Sequence, residues 1–373
     1  MDTFDSMTTV EQKLFDRAAE DNRPISGSIE LLPLCNMDCE MCYVRLSERE
    51  MRAIGRLRSA QEWLSLAQQM KDRGVLFLLL TGGEPLLFPG FRELYLELRK
   101  MGFVLTINTN GTLIDERWAE FFGEHPPRRI NITLYGCDDE AYEKLCHYPG
   151  GFEKVVSGIR LLRQNGVHVK ISATLVRKNR EDAERIAQLS HELDTALHAD
   201  TYMYPAMRER EGQYDESVRL PPKDAAQLRV TMMKAELDRQ AFITMVLDQL
   251  YIATHTPPGQ KSPRCMRCLA GRCSFTVNWQ GQMRPCVMLT NPSASVFDQG
   301  FDAAWNHVSS ETRKIVLASE CSACVLRNVC KVCAANAMSE TGAYDGVPEY
   351  ICRYTEELLN SMAEELKKMT EKT

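Results

Sequence analysis

The sequence predicts an α/β protein with a largely parallel sheet, followed by a cysteine-rich C-terminal part. Three observations carry that prediction. Apolar, β-rich runs alternate with helix-period segments; several of those segments close on a basic residue and then a glycine; and most of the fourteen cysteines collect near the two ends of the chain.

The runs come in order. GSIELLPL (27–34) precedes the helical SAQEWLSLAQQMKDRG, VLFLLLTGG (75–83) precedes FRELYLELRKMG, and FVLTINTNG (103–111) precedes DERWAEFFGE. RINITLYG (129–136) is followed by GFEKVVSGIRLLRQNG, VHVKISATLV (167–176) by REDAERIAQLSHEL, and HADTYMYPA (198–206) closes the series. Strands returned by helices pair in parallel. KDRG, RKMG and RQNG have the basic-then-glycine ending of a C-terminal cap. Six such units build either an open doubly wound sheet or a partial barrel, and in both the chemistry collects at the carboxyl ends of the strands. Those ends carry Cys35, TGGEP (81–85), NTNGT (108–112), TLYG (133–136), SATLVRKN (172–179) and YMYP (202–205). Near the C-terminus, Leu358, Leu359, Met362, Leu366 and Met369 recur at helical spacing, which predicts a docking helix.

Composition narrows the class. The chain of 373 residues is 44% hydrophobic, enough for a substantial core, and its net charge of −6 disfavours a general nucleic-acid partner. The polar start MDTFDSMTTVEQ lacks the pattern of a signal peptide, and no apolar stretch reaches membrane-spanning length. A cytoplasmic protein without membrane or nucleic-acid partners is expected. In a reducing compartment, cysteines in such number point to metal rather than disulfides.

In ELLPLCNMDCEMCYV (30–44), Cys35, Cys39 and Cys42 fall within eight residues. Four thiolates would close a 4Fe–4S cube, whereas three leave one iron open to a ligand. Tetrahedral zinc is the alternative, but no His or fourth Cys stands nearby. CNMDCEMC together with GGEP (82–85) resembles the Cys-x3-Cys-x2-Cys loop and the methionine-binding segment of the radical S-adenosylmethionine (SAM) enzymes. The resemblance implies a partial (β/α)6, TIM-like barrel. It also implies a SAM-binding 4Fe–4S cluster on Cys35, Cys39 and Cys42, a 5′-deoxyadenosyl radical, and hydrogen abstraction from a substrate. Gly82 and Gly83 would let the backbone approach a ligand and Glu84 would accept from an ammonium. Asn108, Thr133, Ser172 and Arg177 would reach the SAM carboxylate and ribose. Met41 stands where the family usually has an aromatic, with Tyr43 next to the loop.

The C-terminal cysteines read CMRCLAGRCSFTVNWQGQMRPC (265–286), CSACVLRNVCKVC (321–333) and Cys352. A zinc ribbon is one reading, although nine cysteines suit neither one zinc nor two. The spacing resembles the SPASM domain, an auxiliary iron–sulfur module of radical SAM peptide-modifying enzymes, with CKVC one residue shorter than the usual last pair. Carried over, Cys321, Cys324, Cys330 and Cys352 would ligate an outer cluster. Cys268, Cys286 and Cys333 would bind an inner one, completed by Cys273 or Cys265 or left with an open iron. Cys137 and Cys146 are read as free thiols. The expected divisions are an N-terminal helical extension (1–25), the radical SAM barrel (26–240), the SPASM domain (241–353) and a final helix (354–373).

The resemblance implies an oxidoreductase that matures a peptide or protein, with a thioether or other crosslink as product and an external electron donor. Sulfatase-maturing members carry an Asp where Val287 stands here, which counts against formylglycine formation. About two dozen residues precede the first strand, so leader recognition would fall to a separate protein or to another surface. A small-molecule radical SAM oxidoreductase or dehydrogenase is the rival reading, and a non-catalytic zinc scaffold a third.

Overall fold

Each apolar run becomes a strand because it is short and alternates buried with half-buried side chains. In the computed structural model, which describes residues 8–205, 208, 216–262, 264–266 and 268–371, α1 (Thr9–Glu20) precedes β1 (Ser26–Glu30). Two helices, α2 (Glu48–Ile54) and α3 (Ala60–Asp72), lead to β2 (Phe77–Thr81); α4 (Phe91–Lys100) to β3 (Val104–Thr109); and α5 (Glu116–Glu124) to β4 (Arg129–Thr133). Next come α6 (Asp139–Cys146), α7 (Gly151–Gln164), β5 (Val169–Thr174), α8 (Ala183–Glu192) and β6 (Ala196–Asp200). Consecutive strands β1 to β6 pair in parallel, as the alternation predicts, and of its two architectures the protein has the α/β partial barrel that the family resemblance implies. The capping signals also operate: Ser59 and Glu62 form a capping box on α3, and Gly74 follows its end at φ +89°.

One face of the sheet is apolar and lies beneath the helices, with Ile29, Leu78, Leu80, Leu105, Ile107, Ile130, Ile132 and Ile171 buried. The opposite face carries Thr81, Asn108, Asn131, Thr133, Ser172, Thr174 and Asp200, in register from strand to strand. Asn131 donates to Asn108 at 2.7 Å and accepts from Arg129 at 2.8 Å. This polar face turns the strand ends into a site, while the apolar face supplies the core.

The remaining elements are α9 (Pro222–Glu236), α10 (Arg239–His255), β7 (Arg264–Cys265), β8 (Ser274–Val277), β9 (Gln282–Arg284) and β10 (Ala294–Ser295), then α11 (Val296–Gln299), α12 (Phe301–Arg313), β11 (Val316–Leu317), α13 (Ser319–Ala323), α14 (Ala334–Thr341) and α15 (Glu349–Glu371). The sheet continues past the expected boundary near residue 240. β8 pairs in parallel with β1, and β9 and β10 extend it to nine strands. An open β1 edge would expose unpaired backbone, and β8 covers it. Cys273 leads into that strand: its carbonyl accepts from Ile25 and Ser26, and its side chain packs under α1 with Ala18, Ala19 and Ile25.

The apolar stripe of α15 docks through four of its five predicted residues, Leu359 lying outside the cluster. Leu358, Met362, Leu366 and Met369 meet Val230 of α9 and Phe242 and Val246 of α10, each buried side chain contributing about 1.5–3 kcal/mol. No helix among the described residues is long and apolar enough to cross a membrane.

Candidate active site

The strand ends surround a cavity of about 430 Å³. Cys35, Cys39, Met41, Cys42, Tyr43, Gly82, Gly83, Asn108 and Thr133, all singled out from the sequence, line it. The structure adds Thr81, Asn110, Tyr135, Thr174, Asp200, Tyr202 and Tyr204 from the sheet side, and Val287 and Met288 from the C-terminal part.

The cysteine loop and the glycine pair are one construction. Beyond the ends of β1 and β2 the two chains keep bonding: Leu31 N–H to the Thr81 carbonyl at 2.9 Å, Gly83 N–H to Leu32 at 2.7 Å and Glu84 N–H to Leu34 at 2.9 Å. A Cβ on Gly82, whose φ is +148°, would lie 2.5 Å from the Leu32 oxygen, and one on Gly83 would lie 2.2 Å from the Leu34 oxygen. The close approach that demands glycine is therefore to the cysteine loop's own backbone. Gly83→Ala should push residues 32–34 off β2, destabilise the apoprotein by about 3 kcal/mol and lower iron uptake. Denaturant unfolding and iron analysis measure both, and a fully loaded variant of native stability would refute the coupling.

Glu84 does not face the ligand space. It is fully buried, and its carboxylate accepts from the Thr109 hydroxyl at 2.8 and 2.9 Å, from Asn110 N–H at 2.8 Å and from Leu86 N–H at 3.0 Å. Burial pushes its pKa up to about 7, against the pull of those donors. The ammonium-accepting role expected of it gives way to holding the β3 turn against the glycine pair. That turn in turn reaches the loop: Asn110 Nδ2 lies 3.6 Å from Cys35 Sγ and donates to Asn36 at 2.8 Å.

Two further expectations shift. Ser172 shares the polar face but sits two residues below the strand end, where Thr174 lines the cavity instead. Arg177 points elsewhere, its Nε donating to the Arg219 carbonyl at 2.7 Å. Residues 202–205, expected as strand, run on beyond β6 as cavity wall.

The three loop thiols are mutual neighbours. Burial foremost, then Glu84, Cys39 and Cys42, push the Cys35 thiol up to about 12, despite the Met37 N–H that bonds it. Such crowding disfavours free thiolates and suits bound cations that neutralise them. The C-terminal cysteines separate into two groups. Burial, then Cys330, Cys321 and Cys324, push the Cys352 thiol up to about 11. Burial, followed by Cys333 and Cys268, does the same for Cys286. Cys273 is not brought to that second group: its nearest charges are Arg272 and Asp16. Strand pairing explains this, because its carbonyl is committed to β1 and its side chain to the α1 core. Cys265 is exposed, opposite Val316 in the β7–β11 pair. Among the described residues no three His, Cys, Asp or Glu converge as ligands of a single ion.

A buried ion pair ties the cavity walls together. Arg208 donates to both Glu30 oxygens at 2.7 Å and to the Val287 carbonyl at 3.3 Å, and its guanidinium lies 5.1 Å from the Tyr43 ring centre. On the other side Glu340 of α14 accepts from Tyr202 at 2.8 Å and pairs with Arg219, which stacks 3.6 Å from the Tyr350 ring centre.

Residues 29–190 match the radical SAM superfamily. They are a radical SAM domain. Such domains use a 4Fe–4S cluster and SAM, and the three-cysteine cavity with its adjoining glycine pair fits both. The chain is 24% identical over 339 residues to the AdoMet-dependent heme synthase of Methanosarcina barkeri, covering 87% of this chain and 95% of that one. It is also 24% identical over 286 residues to the subtilosin biosynthesis protein AlbA of Bacillus subtilis, covering 76% of this chain and 60% of AlbA. The fold resembles Streptococcus suis SuiB bound to the precursor peptide SuiA, with a TM-score of 0.67, 17% identity and coverage of 91% and 79%. In all three the likeness runs well beyond the radical SAM domain, into the cysteine-rich part.

Proposed function

We propose that the protein is a radical SAM peptide maturase that abstracts hydrogen from a peptide and forms a thioether or other crosslink. In this reading Cys35, Cys39 and Cys42 hold the SAM-binding cluster. Residues 241–353 are a SPASM domain with an outer cluster on Cys321, Cys324, Cys330 and Cys352 and an inner one on Cys268, Cys286 and Cys333. The observation that carries it is the composite cavity: Val287 and Met288, next to the inner-group Cys286, face the radical SAM loop across one space. Substrate oxidised there stands beside a second redox group. The peptide-binding SuiB and the bacteriocin protein AlbA support a peptide as that substrate.

The bound cluster and SAM supply a 5′-deoxyadenosyl radical; the chain supplies position. Gly82 and Gly83 line the cavity, and their missing side chains let the strand end lie against residues 31–34 that lead into the cysteine loop. Asn108, Thr133 and Thr174 offer hydroxyl and amide groups to the SAM carboxylate and ribose, while Met41 and Tyr43 flank the loop with apolar surface. Val287 leaves no carboxylate beside Cys286, in keeping with a reaction other than formylglycine formation.

The heme-synthase relative, covered over 95% of its length, favours a second reading, a small-molecule substrate. The mass of a neighbouring-gene peptide after anaerobic co-expression, with and without thiol alkylation, separates the two. Loss of two hydrogens with a cysteine newly blocked is the expected result. An unmodified peptide alongside 5′-deoxyadenosine formation would overturn peptide maturation.

A further inference from the structure

A crosslink made with loss of two hydrogens sheds a hydrogen atom, a proton and an electron from the substrate. The hydrogen atom ends in 5′-deoxyadenosine. The proton needs a base at the cavity, and the lining residues show which group is free to act as one.

Most carboxylates around the cavity are already spent. Glu30 meets Arg208 through both oxygens, Glu84 accepts from Thr109, Asn110 and Leu86, and Glu340 takes Tyr202 and Arg219. Asp200 is different. It ends β6 in register with Thr174 of β5, and both line the cavity. Its carbonyl accepts from Leu175 N–H at 2.8 Å, which anchors its backbone to the end of β5. The residue is exposed, and its carboxylate has no hydrogen bond or ion pair among the described residues.

The rest of the described lining offers hydroxyls, amides, thioethers and the thiols assigned to the cluster, all weaker proton acceptors than a free carboxylate. No Lys, Arg or His stands among those lining residues to neutralise Asp200. From Asp200 the chain runs along the cavity wall past Tyr202 to Tyr204, whose hydroxyl lies 3.9 Å from the Cys333 sulfur. One wall therefore joins the free carboxylate to the inner cysteine group.

We propose that Asp200 is a catalytic residue, the general base that takes the proton of the substrate thiol as a thioether forms. The inference rests on the peptide-maturase reading above. One hydrogen atom passes from the substrate carbon to the 5′-deoxyadenosyl radical. The substrate sulfur bonds to that carbon while its S–H bond breaks and the proton moves to an Asp200 oxygen. The surplus electron passes to an oxidised auxiliary iron–sulfur cluster. A positioned base of this kind contributes about 10²–10⁴-fold.

The test compares Asp200→Asn with the wild type on the neighbouring-gene peptide, in the anaerobic protein carrying its clusters. The yield of crosslinked peptide per 5′-deoxyadenosine should fall about a hundredfold, with iron content unchanged and peptide affinity, read by fluorescence anisotropy, unchanged. Asp200→Gly should regain crosslinking as formate is added, a rescue that a merely structural role would not show. A native yield in Asp200→Asn would overturn the proposal; joined to weakened peptide binding, it would mark Asp200 as a contact for a substrate cation. If Asp200→Asn loads too little iron to assay, Asp200→Gly decides, and a rate indifferent to formate would overturn the base. Wild-type protein that leaves the peptide unmodified would instead defeat the peptide-maturase reading, and the proposal with it.

Discussion

Alanine at Cys35, Cys39 and Cys42 together is expected to abolish SAM cleavage while removing only about a third of the iron, four of about twelve per chain. The reasoning is spatial. These thiols crowd one another around the cavity, whereas Cys286 has Cys333 and Cys268 as its neighbours and Cys352 has Cys330, Cys321 and Cys324. Ligands lost from one group leave the other two intact. Replacing Cys321, Cys324, Cys330 and Cys352 should remove a different third and spare 5′-deoxyadenosine formation. Iron per chain and 5′-deoxyadenosine in the anaerobic protein measure both. Iron unchanged in the loop variant would sink the assignment, and zinc in place of iron throughout would favour a scaffold.

Glu30→Gln should destabilise the protein by about 3–5 kcal/mol, because it takes a carboxylate charge away from a guanidinium held in the interior. Arg208 and Glu30 side chains are 1% and 2% exposed. The pair joins the end of β1, the chain beyond β6, Tyr43 of the cysteine loop and Val287 of the C-terminal part, so its loss loosens four walls of one cavity. The double variant Glu30→Leu/Arg208→Met removes both charges and should recover much of that stability. Denaturant unfolding of the apoproteins tests the pair, and a single variant as stable as the wild type would show that the charge is not confined.

Much of the site was legible because it is local. Cys35, Cys39 and Cys42 stand within eight residues, and the GGEP glycines end a strand, so spacing alone places both on the active face. The misses share a cause. Glu84 reads as a ligand group, but three hydrogen bonds from the next strand's turn and one from Leu86 N–H claim its oxygens. Arg177 reads as an anion contact, but the Arg219 carbonyl, 42 residues away, takes it. Asn110, Tyr135 and Asp200 were present in the quoted stretches or beside them, while period-two alternation puts Ser172 and Thr174 on the same face and only the observed end of β5 at Thr174 decides which of them lines the cavity.

By itself the sequence determined the parallel α/β body, the glycine caps, the docking helix and the two cysteine-rich ends, because helix period, strand length and cap chemistry are written within a few residues. Tertiary structure alone decided that β8 closes the β1 edge, that Cys273 belongs to a core, and that Glu30 meets Arg208. Those choices depend on which distant surfaces meet. A side chain's type says what bonds it is able to make, and only the packed fold determines which partner is there to make them.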